Sequence, residues 1–203
     1  MKAKQAGFTL IELMFTIVVL AVLLGIGVPN FRDFVRNSRL TSAANDLLTD
    51  VNLARSEAVK RRVPVTLCKS ANGSSCDTSA TSPFRRWIVF VDDADPAANV
   101  ADDGDGEVDG SEPILKDRTV SATLTAPAAG RRLIYQPSGF PVADGANRLT
   151  RLLFCDARGS AISVGGVSAA RGVTVSATGR AAVTRDKAVI EATVASGGFG
   201  GCP

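Results

Sequence analysis

Residues 8–28 read FTLIELMFTIVVLAVLLGIGV, an apolar run of 21 residues in which Glu12 is the only charged side chain. An α-helix rises 1.5 Å per residue, so about 20 apolar residues span the hydrocarbon core of a bilayer. A secretory signal peptide would have a shorter apolar region, no acid inside it, and a small-residue cleavage site after it. Here the small residue Gly7 precedes the run. The sequence therefore predicts a membrane-spanning helix, and a plain membrane anchor is the alternative to a more specialised role.

The residues around Gly7 form a specific motif. Residues 4–13 read KQAGFTLIEL, where a basic leader is followed by Gly7, Phe8 and the acid Glu12. This segment resembles the processing site of type IV pilins and type II secretion pseudopilins. The resemblance implies that residues 1–7 are a leader, that a prepilin peptidase cleaves after Gly7, and that Phe8 is N-methylated. It also implies a single-pass protein of the inner membrane, with a periplasmic body and other pilins as partners.

Glu12 is the residue of the apolar run that most needs an explanation. A lone acid inside a bilayer costs about 3 kcal/mol and usually marks a function. The α-amino group of Phe8 is a counter-charge close in sequence, and the resemblance implies that this pairing sets the register of subunits in a filament. The alternative is that Glu12 lies near the interface and extends its carboxylate to water.

The helical pattern continues beyond the membrane segment, from residue 29 to residue 62. Gly25, Gly27 and Pro29 are expected to weaken or bend the helix. Three cations at residues 60–62 suit the negative end of the helix dipole, and Pro64 predicts the end of the helix. Apolar side chains recur at steps of three and four residues, which predicts an amphipathic half that packs on a sheet. They are Phe31, Phe34, Val35, Ala44, Leu47, Leu48, Val51, Ala54 and Ala58.

The remaining residues, 63–203, contain short apolar runs separated by turn signals, which is typical of β-strands. Turns are predicted at residues 138–141 and 178–179. A long helix followed by many short antiparallel strands predicts an α+β fold, with the N-terminal helix packed on a β-rich head. The predicted strands are 63–69, 86–91, 113–120, 121–126, 131–136, 149–156, 172–177, 180–184 and 187–195, and residues 197–203 are expected to be a flexible tail.

Within the pilin-like proteins, three regions resemble the GspH/FimT-type minor pilins and pseudopilins. They are NLARSEAVK at residues 52–60, WIVFVD at residues 87–92, and Thr178-Gly179-Arg180 late in the chain. The resemblance implies a structural subunit of a type IV pilus or of a type II secretion system filament. The choice between these two systems stays open on the sequence alone.

Four cysteines allow three disulfide connectivities. An even number of cysteines in an exported domain favours disulfides. We favour Cys68–Cys76, which closes a short polar loop, and Cys155–Cys202, which fixes the tail to a strand. Free buried thiols are the alternative. Zinc is disfavoured because the chain has no C-x-x-C motif and no histidine.

An acidic segment separates two basic parts of the chain. Residues 87–115 contain nine acids and no Lys or Arg. When the 12-residue EF-hand pattern is placed from residue 101, Asp103, Asp105, Asp109 and Glu112 fall at ligand-supplying positions, but its first position is Ala101. The pattern predicts a calcium site, and the alternatives are a solvated loop or a loop that docks on a basic neighbour. No other cofactor is expected.

The C-terminal part is basic, with nine cations and three acids in residues 131–187. A hairpin around the predicted turn at residues 178–179 would present Arg180 and Arg185 to solvent, where they could contact DNA phosphates. The resemblance to FimT-type pilins implies an arginine motif of this kind in DNA capture, and Gly179-Arg180 matches its start. The residues that follow, AAVT, depart from it. Ordinary surface arginines are the alternative.

The composition argues against an enzyme. The chain of 203 residues has no histidine, which excludes Ser-His and Cys-His nucleophile pairs and histidine general bases. Aromatic residues make up only 5% of the chain, which disfavours a large ligand pocket and base stacking. The sequence therefore predicts a structural minor pilin or pseudopilin, with a DNA-binding pilin for DNA uptake as the alternative.

Overall fold

The computed structural model describes residues 9–79, 83–92, 104–108, 112–126, 128–160, 167–195 and 202. The chain divides into two compact units, one ending at Arg39 and the other beginning at Leu40. The first unit is helical from Leu10 onward. The second contains the packed core, two disulfides and all the strands.

One helix, α1, runs from Leu10 to Arg61 and includes Pro29. It ends where Arg62 takes a left-handed backbone conformation with φ 61°, two residues before Pro64. The predicted helix limits thus agree with the structure to within two residues. The buried face begins later than the apolar pattern suggested, because Phe31 and Phe34 are 66% and 68% exposed. Its members recur at helical spacing: Leu40, Ala43, Ala44, Leu47, Asp50, Val51, Ala54 and Ala58.

The second unit contains two four-stranded antiparallel sheets and a short C-terminal helix. The strands in chain order are β1 Val65–Lys69, β2 Arg86–Val91, β3 Ile114–Thr119, β4 Ala128–Ala129, β5 Arg132–Tyr135, β6 Arg151–Phe154, β7 Arg171–Val175 and β8 Ala181–Thr184. The first sheet has the order β3-β2-β1-β5 and the second has the order β4-β6-β7-β8. A 3-10 helix spans Gly145–Asn147, and helix α2 spans Lys187–Ala195.

One core joins the buried face of α1 to the inner faces of both sheets. Alternate side chains of the strands, such as Leu67, Trp87 and Phe154, enter this core. The opposite face of the first sheet carries Cys68, Ile88 and Phe90, against which Val108 packs. Successive side chains of a strand point to opposite faces of the sheet. Because both faces of β1 and β2 are covered, nearly every residue of these two strands is buried.

A buried acid ties the helix to the first sheet. The Asp50 carboxylate accepts hydrogen bonds from Trp87 Nε1 at 2.8 Å and from Arg118 Nε at 2.8 Å. Arg118 also pairs with Asp46, one turn earlier on α1, at 3.2 Å. Buried polar groups are stable only when they are paired, and Asp50 meets this condition through one residue of β2 and one of β3.

Two strand predictions were wrong. Residues 121–124 form a turn, closed by the hydrogen bond from Leu124 N to Ser121 O at 3.0 Å, and Thr125 makes only an isolated bridge with Cys155. Residues 187–195 form helix α2 rather than a last strand. Asp186 caps this helix through Ala188 N at 2.8 Å, and Lys187 pairs with Glu191 at 3.2 Å. A cap and a pair four residues apart are helical signals that outweighed the apolar run.

Both expected disulfides are present. Cys68–Cys76 closes the loop that follows β1, and Cys155–Cys202 joins the end of β6 to the C-terminal region. Cys202 lies beside Leu153, Ala170 and Ile190, on the face of the second sheet that α2 covers. The predicted tail, 197–203, lies outside the described residues apart from Cys202.

Candidate functional site

The start of α1 is a capping box. Thr9 N and Thr9 Oγ1 each donate a hydrogen bond to Glu12 Oε2 at 3.0 Å, and Glu12 N donates to Thr9 Oγ1 at 3.3 Å. These bonds satisfy backbone N–H groups that a helix start leaves without partners. This arrangement was not predicted, although the T-x-x-E spacing of residues 9–12 signals it. Gly7 and Phe8 lie outside the described residues, so the roles predicted for them, and the pairing of Glu12 with Phe8, stay predictions.

The apolar part of α1 has no partner within the described chain. Every residue from 10 to 28 is exposed, although most are large and apolar. The helix is long and apolar enough to cross a membrane. Exposed apolar surface of this extent is suited to contact with lipid or with other helices.

A tight hairpin joins β7 and β8, as the turn signals predicted. Ser176 O accepts a hydrogen bond from Gly179 N at 3.0 Å, and Gly179 adopts a φ of +79°. Tyr135 Oη donates to Gly179 O at 2.5 Å, which fixes the turn to β5. Burial raises the pKa of Tyr135 to about 12, so the hydroxyl stays a donor at physiological pH. The importance of Tyr135 was not visible in the sequence.

The hairpin exposes both arginines that were predicted for DNA contact. Arg180 lies before β8 and Arg185 after it. Arg180 and the exposed Arg151 line an open groove on the outer face of the second sheet. Arg151, Thr174 and Ala182 are neighbours across three strands and form its floor. Arg185 is not among the groove residues, so the two predicted arginines do not share one site. The groove instead combines Arg180 with Arg151, which was not predicted as a site residue.

The described part of the acidic segment docks on a basic neighbour. Arg132 pairs with Glu107 at 2.9 Å and with Asp144 at 2.6 Å. Asp105 is exposed and accepts a hydrogen bond from Glu107 N at 2.7 Å. Among the described residues of the 101–112 frame, 104–108 and 112, no group of three or more candidate metal ligands occurs. Asp103 and Asp109 lie outside the described residues, so calcium binding by the four predicted acids, Glu112 included, stays a prediction.

Asp92, directly after β2, is a buried acid that was predicted only as part of the WIVFVD motif of residues 87–92. Thr66 Oγ1 donates to Asp92 Oδ2 at 2.5 Å, and Gly106 N donates to the same oxygen at 3.1 Å. Burial raises the pKa of Asp92 to about 6, and the nearby Asp105 carboxylate raises it further. Asp92 therefore connects the acidic segment to β1 and β2.

Known proteins match this chain over its N-terminal motif and its head. The sequence model of the family described as "Type II transport protein GspH" matches residues 43–179, and that of the prokaryotic N-terminal methylation motif matches residues 2–28. The type IV major alpha-pilin of Moraxella bovis is 26% identical over 125 residues, which are 59% of this chain and 69% of that protein. Prepilin peptidase-dependent protein D of Escherichia coli K12 is 38% identical over 76 residues, 36% of this chain and 44% of that protein.

A solved structure is also similar. The crystal structure of the type IV minor pilin FimU of Pseudomonas aeruginosa PAO1 aligns with a TM-score of 0.44 and 22% identity, covering 74% of this chain and 92% of that one. The GspH match by itself extends over about two thirds of the chain, and the methylation motif precedes it. The chain therefore belongs to the GspH family of type II transport proteins and is a type IV pilin-like structural protein.

Proposed function

We propose that this protein is a minor pilin or pseudopilin that enters a filament of a type IV pilus or a type II secretion system. In this proposal a prepilin peptidase removes residues 1–7 and Phe8 is N-methylated. Residues 8–28 cross the inner membrane, and the head, residues 63–203, lies in the periplasm. The observation that carries the proposal is the apolar segment of α1, residues 10–28, which is exposed throughout and lies within the match to the methylation motif. In a filament, helices of neighbouring subunits would cover this surface.

Two roles of Glu12 can be separated by substitution. Its carboxylate caps α1 with Thr9, and its charge is proposed to pair with the amine of Phe8 in the filament. Glu12→Gln retains a capping side chain but removes the charge, since glutamine also serves in capping boxes. Thr9→Ala removes the capping hydroxyl but retains the charge.

The test measures the full-length protein in sheared filament fractions of its host, with leader cleavage followed on the same immunoblots. We expect Glu12→Gln and Glu12→Ala to be cleaved normally and to be at least tenfold depleted from filaments, whereas Thr9→Ala enters them. If Glu12→Gln enters filaments normally, the charge of Glu12 is not required for assembly. Depletion of Thr9→Ala alone would assign assembly to the helix cap. Deletion of the gene, scored for surface pili and for protein secretion, separates the two systems.

A second candidate function, DNA binding for uptake, rests on the groove of the second sheet. Arg151 and Arg180 line it together, and neither forms an ion pair with any residue that the structure describes. Cations without protein counter-ions on a common surface are suited to phosphate contacts. Thr150, Thr174 and Ser176 in the same groove add hydroxyl donors for phosphate oxygens.

The test is the affinity of detergent-solubilised full chain for duplex DNA across a salt series. We expect Arg151→Ala and Arg180→Ala each to weaken binding about tenfold and to lower the salt slope by about one phosphate contact. Arg61→Ala removes a cation that is paired with Glu57 on α1 and serves as the control. An effect of Arg185→Ala without one of Arg151→Ala would move the contact away from the groove. Absence of binding at low salt would eliminate this function.

A further inference from the structure

The carboxylate of Asp92 is only half satisfied. The residue is 1% exposed, and its Oδ2 accepts the bonds from Thr66 and Gly106. Its Oδ1 is buried and has no hydrogen-bond partner among the described residues. A buried oxygen of a carboxylate without a donor is costly, because desolvation is not repaid by any contact. This oxygen is therefore a candidate ligand for a cation.

The charge around Asp92 is also unbalanced. The bond from Gly106 N places Asp105, the preceding residue, beside the Asp92 carboxylate. Arg132 is a described cation whose charge acts on Asp92, and it already pairs with Glu107 and Asp144. Arg131 approaches Glu107 at 4.0 Å. The described residues of this cluster are thus four carboxylates and two guanidinium groups, and the two uncompensated negative charges fall on Asp92 and Asp105.

We propose that Asp92 and Asp105 bind a divalent cation of the oxygen-preferring class, calcium, between the end of β2 and residues 104–108. Asp92 Oδ1 and the Asp105 carboxylate would supply the charge, and water and main-chain oxygens would complete the coordination. Calcium accepts six to eight oxygen ligands in flexible geometry, which suits a site with few side-chain ligands. Zinc is disfavoured because the chain has no histidine and its four cysteines form disulfides.

This site differs from the EF-hand frame considered for residues 101–112. Its central ligand, Asp92, precedes that frame and directly follows β2. A bound cation would pin residues 104–108 onto the first sheet, where Val108 packs beside Cys68–Cys76. With two protein carboxylates the affinity is expected to be that of weak extracellular sites, with Kd of about 10⁻⁴–10⁻³ M.

The test is calorimetric titration of the detergent-solubilised full chain with calcium chloride, with magnesium chloride and sodium chloride as competitors. Thermal unfolding in calcium and in EDTA provides a second readout. We expect one calcium per chain and a melting temperature several degrees higher in 10 mM calcium. Asp105→Asn, on an exposed side chain, and Asp92→Asn should each weaken binding at least tenfold. Asp186→Asn makes the same charge change at a helix cap that asparagine preserves, and its binding should equal that of the unmodified chain.

Three results would overturn the proposal. The first is the absence of both heat and stabilisation at 10 mM calcium. The second is binding that survives Asp92→Asn and Asp105→Asn but is lost in Asp103→Asn or Asp109→Asn, which would place the ion in the frame of residues 101–112. The third is that Asp186→Asn weakens calcium binding as much as Asp92→Asn and Asp105→Asn do, which would mean that binding follows the overall charge of the chain and not a specific site. Because Asp105 is exposed, its variant keeps the test decisive even if Asp92→Asn does not fold.

Discussion

Asp50 shows how much a single buried acid contributes to this head. Its carboxylate holds Trp87 and Arg118, and the Asp50 side chain is 1% exposed. We expect Asp50→Ala to lower the free energy of unfolding by about 3 kcal/mol, because it leaves an indole N–H and a guanidinium without their acceptor. Denaturant unfolding followed by fluorescence of Trp87, the single tryptophan of the chain, measures this.

The control for Asp50 is Asp46, which pairs with the same arginine but is 43% exposed. Asp46→Ala should cost less than about 1 kcal/mol, as for other exposed ion pairs. Equal losses in the two variants would mean that burial of Asp50 adds nothing to the pair.

The raised pKa of Asp92 predicts that the free energy of unfolding, measured in EDTA, depends on pH. Its pKa is raised to about 6 in the folded protein, chiefly by burial, so its neutral form is favoured there. The resulting stability is complete below the ordinary pKa near 4 and is lost as pH rises through about 6. The difference between these values corresponds to about 3 kcal/mol. Thermal unfolding of Asp92→Asn from pH 4 to 7.5 should lack this loss, and parallel profiles for the two proteins would contradict the prediction.

At the scale of elements, the hairpin between β7 and β8 depends on one glycine. A Cβ on Gly179 would lie 2.6 Å from Tyr135 Cε1 and 3.0 Å from Pro141 Cδ, at a φ of +79°. We expect Gly179→Ala to destabilise the head by about 2–4 kcal/mol, the sum of left-handed backbone strain and overpacking. Calorimetric melting measures this loss.

Gly145 provides the matched control for the hairpin. It also has a positive φ, +54°, but nothing lies within 4 Å of an added Cβ. Gly145→Ala should therefore cost only about 1–2 kcal/mol, the backbone strain alone. If Gly179→Ala and Gly145→Ala lower the melting temperature equally, contact with Tyr135 does not restrain the turn.

The elements differ in how far the sequence could predict them. Strand β2 was predicted at its observed limits, because RWIVFV is apolar, β-branched and bounded by turns. Helix α2 was missed, since nine residues with few polar positions do not separate period 2 from period 3.6. Strand β4 has two residues and is defined only by its pairing with β6, which no local pattern reveals.

The candidate sites were predictable only where a linear motif carries them. The leader motif is contiguous, so residues 4–13 identified it without a structure. The groove and the Asp92 cluster combine residues distant in sequence, such as Arg151 with Arg180 and Asp92 with Arg132. The pairing of strands creates these neighbours, and a single sequence does not encode it in any local signal.

At the scale of the whole molecule, the two disulfides should contribute unequally. Cys155–Cys202 joins residues 47 apart in sequence, whereas Cys68–Cys76 joins residues 8 apart. The chain-entropy treatment gives about 4 kcal/mol for the longer loop and about 2.5 kcal/mol for the shorter one. Paired Cys→Ser variants compared by thermal unfolding should follow this order, and a larger loss from the Cys68–Cys76 pair would contradict it.

The Asp50 contacts have a mechanical consequence. If α1 slid by one turn along the sheet, about 5.4 Å, Asp50 would leave Trp87 and Arg118, and either Ala54 or Asp46 would take its place. A purely apolar interface between the helix and the sheet would permit such a shift at little cost in free energy, because one small apolar side chain can replace another. The Asp50 carboxylate fixes the axial position of α1 on the sheet, because a shift would break its bonds to Trp87 and Arg118. A force along the helix axis is therefore transmitted to the sheet instead of sliding the helix over it.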